Sequence, residues 1–435
     1  MQNPESGAPS ATQSVAGQLN QQCACRTLDT AILQSQLEKE LPLAGMYNEI
    51  VQTRPGLFSA TTVFISSQQL EQMASLVKAV EAVVALPAFQ TLVLNQAPAI
   101  ARHNPGPHGV FMGYDFHLGE QGPQLIEINT NAGGALLNAV LAKAQMACCN
   151  AMDATQPTQA DINRFEDAII AMFREEWRLQ AGNKPLTRIA IVDDNPEEQY
   201  LYPEFRLFEH LFTCAGIEAV IADPEELQWQ GGELTHAGKP IDMIYNRLTD
   251  FYLEQAGHTA LRSAYEAGAV VVTPHPHAHA LYANKRNLAL LTDKTALDAL
   301  QVPDATCDRL LTTIPRTRQV LSEQADALWA QRKKLFFKPA TGYGSKATYR
   351  GDKLTRRVWE DILAGNYIAQ DLIPPSERLV QVDHNTTDLK LDIRAYVYDG
   401  NIQLVAARLY SGQTTNFRTE GGGFAPVFIV PEWLP

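Results

Sequence analysis

The feature that most constrains the fold of this chain is a pair of motifs rich in oxygen-bearing side chains. Asp115 ends a Gly-Tyr-Asp motif after the apolar segment 109–112, and Glu127 and Asn129 form a Glu-Ile-Asn motif closing the apolar segment 124–128. Because the turn between the two segments contains glycine, the pattern predicts an antiparallel ribbon that carries both acids. Side chains two residues apart share one face of a strand, so Glu127 and Asn129 point the same way.

These three side chains offer the kind of atoms that a hard divalent cation prefers. Mg²⁺ takes oxygen ligands in a near-octahedral shell and commonly keeps waters and substrate phosphates in it. We therefore predict that Asp115, Glu127 and Asn129 are Mg²⁺ ligands. The alternative interpretation is a solvated strand face that ends in a turn asparagine.

A lysine far downstream carries a second charged motif. Lys338 ends the apolar run 335–337 and is followed by a glycine-rich loop that includes Gly342, Gly344 and Ser345. Glycines let backbone N–H groups approach phosphate oxygens, and a lysine adds a point charge. The pattern predicts a loop that covers phosphates. The alternative is an ordinary turn beside a lysine whose stem lies along apolar surface.

The last charged motif is predicted to lie on a hairpin. An Asp-Gly dipeptide at 399–400 separates two alternating apolar runs, which is a strong hairpin signal. Asp392 and Arg394 precede this turn and Arg408 follows it, and a donor-rich loop spans 415–423. Asp392 and Arg394 share a strand face, so they either pair or point into a cleft. Surface salt bridges are the alternative role for these arginines.

Together, these motifs resemble the parts of an ATP-grasp ligase. In most members of that superfamily the acidic element follows the Lys-Pro and Asp-x-Arg elements, whereas here it precedes them. This order is similar to that of circularly permuted members, of which some glutathione synthetases are the best known. The resemblance covers residues 109–147 and 241–428. It implies an α/β (α+β) chain with an ATP-grasp fold in circularly permuted order and a Rossmann-like pre-ATP-grasp α/β domain.

The resemblance also implies roles for individual residues. Permuted glutathione synthetases carry a metal-binding Glu in the loop after Lys-Pro; this loop has none, so Asp115 is expected to replace it, as in unpermuted members. The implied nucleotide-binding residues are Lys285, Lys338, Gly342, Gly344, Ser345, Gln370, Asp371, Ile373 and Asp392. The implied catalytic residues are Arg394, Arg408, Asn416 and Arg418. The implied substrate-binding residues are Asn131, Gly133, Gly134 and Arg247.

Composition and periodicity divide the chain into four parts. Residues 1–26 are rich in polar and small side chains and predict a disordered tail, and residues 27–184 predict a helical region with the metal-binding ribbon. Strands and helices alternate over 185–283, which predicts a Rossmann-like substrate domain with a mostly parallel sheet. Residues 284–435 are predicted to form the ATP-grasp nucleotide-binding region.

Charge and composition exclude several classes of protein. A net charge of −13 without a basic stripe argues against a nucleic-acid partner. No apolar run approaches the roughly 18–20 residues that span a bilayer, so no membrane segment is expected. Six cysteines without CxxC spacing favour reduced thiols and a cytoplasmic location. His275, His277 and His279 suggest a metal site, but without a neighbouring acid or cysteine we expect an ordinary loop.

The sequence thus predicts an ATP- and Mg²⁺-dependent carboxylate–amine ligase that forms an amide or peptide bond through an acyl-phosphate. Its expected partners are small-molecule or peptide carboxylate and amine substrates. The sequence does not decide whether the protein forms a homodimer. Two alternatives remain: a small-molecule kinase on the same fold, and a non-catalytic nucleotide-binding protein. Retention of the whole Asp115, Glu127 and Asn129 set counts against the last.

Overall fold

Four β-sheets organise the part of the chain described by the computed structural model, residues 14–38, 43–146, 159–342, 347–383 and 385–432, with backbone only for 159–163. The strands are β1 (Val63–Ser66), β2 (Met112–Gly119), β3 (Gly122–Asn129), β4 (Arg188–Val192), β5 (Glu218–Ala222), β6 (Leu227–Gln230), β7 (Glu233–His236), β8 (Lys239–Pro240), β9 (Met243–Asn246), β10 (Val271–Thr273), β11 (Thr317–Gln319), β12 (Leu335–Pro339), β13 (Tyr349–Arg350), β14 (Tyr367–Asp371), β15 (Ser376–Val382), β16 (Asn385–Tyr398), β17 (Asn401–Tyr410) and β18 (Gly423–Val430).

Helices connect and cover these sheets. They are α1 (Val15–Gln22), α2 (Thr30–Leu37), α3 (Met46–Thr53), α4 (Ser67–Val84), α5 (Pro87–Leu94), α6 (Ala135–Lys143), α7 (Gln159–Ala181), α8 (Tyr202–Cys214), α9 (Thr259–Glu266), α10 (Pro276–Tyr282), α11 (Arg286–Leu291), α12 (Lys294–Ala299), α13 (Asp304–Thr313), α14 (Ala325–Gln331) and α15 (Arg356–Ala364). The chain is therefore of the mixed α/β class that the sequence predicts.

The largest sheet joins strands from both ends of the chain. Its order is β1-β18-β17-β16-β2-β3, and β15 pairs with the first half of β16. β2 and β3 form the predicted antiparallel ribbon, and β2 also pairs antiparallel with the second half of β16. The Asp399-Gly400 turn links β16 to β17, as predicted. The early ribbon thus completes a sheet made mainly of C-terminal strands, which confirms the expectation drawn from the permuted motif order.

Helix α4 covers this sheet through its apolar face. A capping box is present at its start: Ser66 Oγ accepts from the Gln69 amide at 3.1 Å, and Gln69 Oε1 accepts from the Ser66 amide at 2.9 Å. Met73, Val77 and Val80 are buried in the core that it shares with the sheet. In the described residues no single helix is long and apolar enough to cross a bilayer, and α4 and α5 meet that criterion only as a pair bent by 75°.

A four-stranded parallel sheet forms the predicted α/β unit. Its order is β10-β9-β4-β5, and every neighbouring pair is parallel, so the predicted parallel sheet is confirmed. From β4 the chain goes to β5 on one side and later to β9 on the other. The strand order therefore reverses between β4 and β9, and open α/β sheets bind ligands at the carboxyl ends of the strands at such a point.

The third large sheet is antiparallel, in the order β11-β14-β12-β13. Its outer face packs on α14 and α15, where Leu328, Phe337 and Trp359 are buried in one cluster. Lys338 follows Phe337 on β12, so it points to the opposite face of the sheet. That face is turned toward the seven-stranded sheet and the ribbon.

Part of the expected disordered tail is helical. The expectation over residues 1–26 is wrong for Val15–Gln22, which form α1, and residues 1–13 lie outside the described residues. The Asn20 side chain exchanges two hydrogen bonds with the backbone of Phe64 on β1, at 2.8 and 3.0 Å. The buried guanidinium of Arg378 donates to the carbonyls of Asn20 and Thr62. These contacts order α1 although its own sequence is polar.

The histidine cluster is helical, so the loop expected there is wrong. His275 caps the start of α10, and His277 and His279 lie within it. His275 Nε2 lies 2.9 Å from the carbonyl of Pro107, and His277 Nδ1 lies 2.7 Å from that of Ala101. Each ring therefore has its own structural partner. No group of three or more His, Cys, Asp or Glu side chains in the described ranges is arranged to hold a metal ion.

Candidate active site

A cleft separates the seven-stranded sheet from the antiparallel four-stranded sheet. Strands β2, β3, β16 and β17 form one wall, and β12 and β14 form the other. The structure brings ten of the predicted site residues together here: Asp115, Glu127, Lys285, Lys338, Gly342, Gln370, Asp371, Ile373, Asp392 and Arg408. Gly344 and Ser345 lie outside the described residues.

Two buried lysines stand beside the acidic ribbon. Lys338 Nζ donates to Gln370 Oε1 at 2.9 Å and to the carbonyl of Ile126 at 3.2 Å. Lys285 Nζ donates to the carbonyl of Gly342 at 2.9 Å and lies 3.7 Å from Glu127 Oε2. The two cations and the Glu127 carboxylate therefore occupy one end of the cleft, next to the start of the glycine-rich loop.

Burial and charge act in opposite directions on these groups. Burial raises the pKa of Glu127, but the nearby ammonium groups of Lys285 and Lys338 outweigh it and lower that pKa to about 2. Burial lowers the pKa of Lys338 to about 8, although the Glu127 carboxylate opposes the shift. Glu127 is therefore ionised at neutral pH, and Lys338 carries a proton that it loses within the mildly alkaline range.

This lowered pKa gives a testable pH dependence for nucleotide binding. Lys338→Met removes a cation that would contact phosphate oxygens, so we expect ATP affinity at pH 7 to fall about tenfold. The protonated lysine binds the anion, so wild-type affinity should decline as pH rises through about 8. Calorimetric titrations with ATP at several pH values measure both effects. The variant should lack this alkaline decline.

A matched control is Lys333→Met, since Lys333 is exposed on the turn that precedes β12. This change should leave the affinity and its pH profile as in wild type. Equal ATP affinities for wild type and Lys338→Met at pH 7 would contradict the phosphate-binding role.

A row of ion pairs lies across the strands next to the lysines. Asp115 is the cross-strand neighbour of Arg394, and its two oxygens accept from Arg394 Nε at 2.6 Å and Nη2 at 2.7 Å. Arg408 Nη2 also donates to Asp115 at 2.9 Å, while its Nε donates to Asp392 at 2.7 Å. Thr415 Oγ1 donates to the second oxygen of Asp392 at 2.5 Å. This network holds the Arg408 guanidinium at the cleft wall.

The residues present fit a magnesium ion, with one change in the expected ligand set. The Asp115 carboxylate is paired with two guanidinium groups, so its negative charge is already balanced by the arginines that it orients. Asn129 Nδ2 donates to Asp115 and to Glu127, each at 3.2 Å, and within the described residues no group donates to the Asn129 amide oxygen. One carboxylate and one amide oxygen suit an ion that completes its shell with phosphates and water. Glu127 and Asn129 are thus the residues that would hold Mg²⁺.

Some residues of the loop between β17 and β18 line the cleft, and others do not. Thr414 and Thr415 line the cleft, whereas Asn416 and Arg418 are not among its lining residues. Asn416 Nδ2 donates to two carbonyls of its own loop, and its oxygen accepts from the Arg418 amide at 3.0 Å. Arg418 is exposed. Asn416 therefore shapes the loop. Arg418, which was expected to be catalytic, does not line the cleft that contains Lys338.

A second group of buried charged side chains lies where the parallel sheet reverses its strand order. Asp193 follows β4 and Arg247 follows β9, and both side chains are buried. Burial raises the pKa of Asp193 to about 7, although Arg247 opposes the shift. Arg247 Nε has no hydrogen-bond partner in the described part of the chain. An unpaired buried donor on a cation is typical of a site that an anionic ligand completes.

The other predicted substrate residues surround Arg247. A Cβ atom at Gly133 would lie 2.4 Å from Leu201 Cδ1 and 2.8 Å from Arg247 Nη2, so a larger residue there would require both side chains to shift. Asn131 Nδ2 donates to the carbonyl of Leu248 at 3.2 Å. The amide of Gly134 donates to the buried carboxylate of Glu204 at 2.7 Å. The Glu204 carboxylate therefore caps the start of α6 and is the hydrogen-bond partner of the Gly134 amide.

Three site residues escaped the sequence reasoning. His117 lines the cleft on the same strand as Asp115, two residues later, beyond the apolar segment 109–112 that the sequence indicated. Asp193 follows the apolar run 189–192 at the carboxyl end of a parallel strand, where α/β sheets bind ligands. Glu204 showed no usable signal, because only the tertiary contact with Gly134 distinguishes it from other helical acids.

Comparisons with known proteins agree with this architecture. No protein-family model matches the chain, and no curated protein matches it. Among solved structures, the apo form of a glutathione synthetase-like effector from Globodera pallida aligns over 92% of this chain and 98% of its own, with a TM-score of 0.57 and 11% identity. A Methylobacillus flagellatus protein provisionally assigned as a gamma-glutamylcysteine synthetase covers 79% and 84%, with a TM-score of 0.45 and 12% identity.

The likeness to the first structure spans almost the whole of both chains, so it concerns the complete arrangement of sheets and helices. At 11% identity it defines the fold alone. The chain therefore has a glutathione-synthetase-like fold, which is the fold expected from the permuted motifs.

Proposed function

We propose that the protein is an ATP- and Mg²⁺-dependent carboxylate–amine ligase that forms an amide or peptide bond through an acyl-phosphate. The cleft is the nucleotide site, and the Asp193 and Arg247 side chains receive the carboxylate substrate. The fold and the cleft residues support this assignment. Mg²⁺, held by Glu127 and Asn129, would neutralise the charge that develops on the phosphoryl oxygens.

One observation carries the proposal: a single short segment links the two sites. Glu127 lies beside the lysines in the cleft, and Gly133, six residues later, lies against the Arg247 guanidinium. A carboxylate bound by Arg247 would therefore be close to the phosphate end of the nucleotide. Such placement converts a reaction between two substrates into one between neighbours, which contributes much of the rate enhancement.

The protein groups would act mainly by binding and orientation. Lys285 and Lys338 bind phosphate oxygens, and Arg408, held by Asp115 and Asp392, stabilises the transferring phosphoryl group. The substrate carboxylate attacks the γ-phosphorus, ADP leaves, and an amine displaces phosphate from the acyl-phosphate. Asp193 beside Arg247 offers an acceptor and a donor to a substrate that carries both amino and carboxylate groups.

A substrate screen tests the proposal. Purified protein is incubated with ATP, Mg²⁺ and pairs of carboxylates and amines, ADP release is measured, and products are identified by mass spectrometry. A ligase releases phosphate and forms an amide only when both substrates are present. A stable phosphorylated product would assign a kinase, and nucleotide binding without ADP release for any pair would assign a non-catalytic protein.

A further inference from the structure

His117 is a cleft residue to which the nucleotide chemistry described above gives no role. It lies on β2, two residues beyond Asp115, and faces the same cleft. Two residues along a strand correspond to about 7 Å. The lysines mark the phosphate end of the cleft near Asp115, and His117 lies farther along, beside Ile373. It therefore stands at the end where the base of a nucleotide would lie.

The hydrogen bonding of the ring determines what it presents to the cleft. His117 Nδ1 lies 2.8 Å from the carbonyl oxygen of Ile373. A carbonyl only accepts, so Nδ1 carries the hydrogen and, in the neutral imidazole, Nε2 is an acceptor. Within the described ranges no protein group bonds Nε2, and Nε2 is not among the enclosed unpartnered atoms. A fixed acceptor thus opens into the cleft.

We propose that His117 Nε2 accepts a hydrogen bond from the 6-amino group of a bound adenine and makes the site selective for adenine nucleotides. The apolar side chains of Ile126, Phe336 and Leu372 line the same cleft and suit the faces of a flat base. Guanine and hypoxanthine carry an oxygen acceptor at position 6, which would face the Nε2 lone pair. This inference rests on the proposed nucleotide cleft and adds a residue that selects the base.

The test compares purine nucleotides that differ at position 6. Dissociation constants are measured by calorimetry for ATP, purine riboside 5′-triphosphate, which lacks the amino group, and inosine 5′-triphosphate. Wild type should bind ATP about fivefold to tenfold more tightly than the purine riboside nucleotide, as expected for one uncharged hydrogen bond. Inosine triphosphate should bind more weakly than either.

Two variants isolate the ring nitrogen. His117→Phe keeps an aromatic ring but removes the acceptor, so it should bind ATP and purine riboside triphosphate with equal affinity. His117→Gln keeps a donor for the Ile373 carbonyl and offers an amide oxygen, so it should recover part of the preference for ATP. Unchanged purine riboside triphosphate affinity in His117→Phe shows that the cleft is intact.

The outcomes separate this inference from the function on which it rests. Tight ATP binding by wild type without preference over the purine riboside nucleotide would overturn the role of His117 and leave the nucleotide cleft standing. If His117→Phe kept the full preference for ATP over the purine riboside nucleotide, the role of His117 would likewise be overturned. Absence of any triphosphate binding by wild type would overturn both proposals.

Discussion

Glu127→Gln is expected to lower turnover roughly 100-fold while nucleotide affinity falls much less. The change keeps the shape of the side chain but removes the carboxylate charge of the proposed Mg²⁺ ligand, whereas Asp115 is paired with arginines. The proposed adenine contact at His117 lies elsewhere in the cleft. ADP release across a Mg²⁺ titration, with the substrate pair found in the screen, should show half-maximal activity at a higher Mg²⁺ concentration.

Glu120→Gln is the matched control, because Glu120 is exposed on the turn between β2 and β3 of the same ribbon. It should have wild-type turnover and Mg²⁺ dependence. A folded Glu127→Gln variant with wild-type turnover and an unshifted Mg²⁺ curve would place the metal site elsewhere. Lost stability with normal turnover in the folded fraction would make Glu127 a structural residue.

Asp115→Asn is expected to cost about 3–5 kcal/mol of unfolding free energy, the range for breaking a buried ion pair by removing one partner. Asp115 is 3% exposed and accepts hydrogen bonds from Arg394 and Arg408, both of which would lose their shared counter-charge. Denaturant unfolding followed by circular dichroism measures the change. The variant should also lose activity, because Arg408 would no longer be held from both sides.

The Asp352–Arg350 pair provides the comparison. Its Oδ1–Nε distance is 3.0 Å, but both side chains are substantially exposed. Solvent screens such a pair, so Asp352→Asn should change the unfolding free energy by less than about 1 kcal/mol. If Asp115→Asn were as mild as Asp352→Asn, the buried network would not be a source of stability.

Local patterns in the sequence were sufficient for the elements that position the site. The ribbon and the hairpin at Asp399-Gly400 were both predicted and are both present. Each depends on side chains within a few residues of one another. Turn geometry and strand alternation act over that range, so the sequence contains the whole signal.

Helix α10, which carries the histidine cluster, and helix α1 were not predicted, because both depend on contacts with residues that are remote in the chain. The polar sequence of α1 has little tendency to order itself, and it is held by Phe64 and Arg378, which are remote in the chain. The histidines looked like alternating ligands on an extended segment. Buried carbonyls on other elements satisfy His275 and His277 instead, and the Thr130 hydroxyl is the partner of His279.

By itself, the sequence determined the residue types of the cleft, the permuted order of the motifs and therefore the fold. Only the tertiary structure decided which acid serves which purpose. Asp115 and Arg394 are 279 residues apart, and no local pattern shows that they meet as a bidentate pair. Because the charge of a carboxylate paired with two guanidinium groups is already balanced, that pairing leaves Glu127 and Asn129 as the proposed magnesium ligands. The distinction depends on three-dimensional proximity, which motif spacing does not contain.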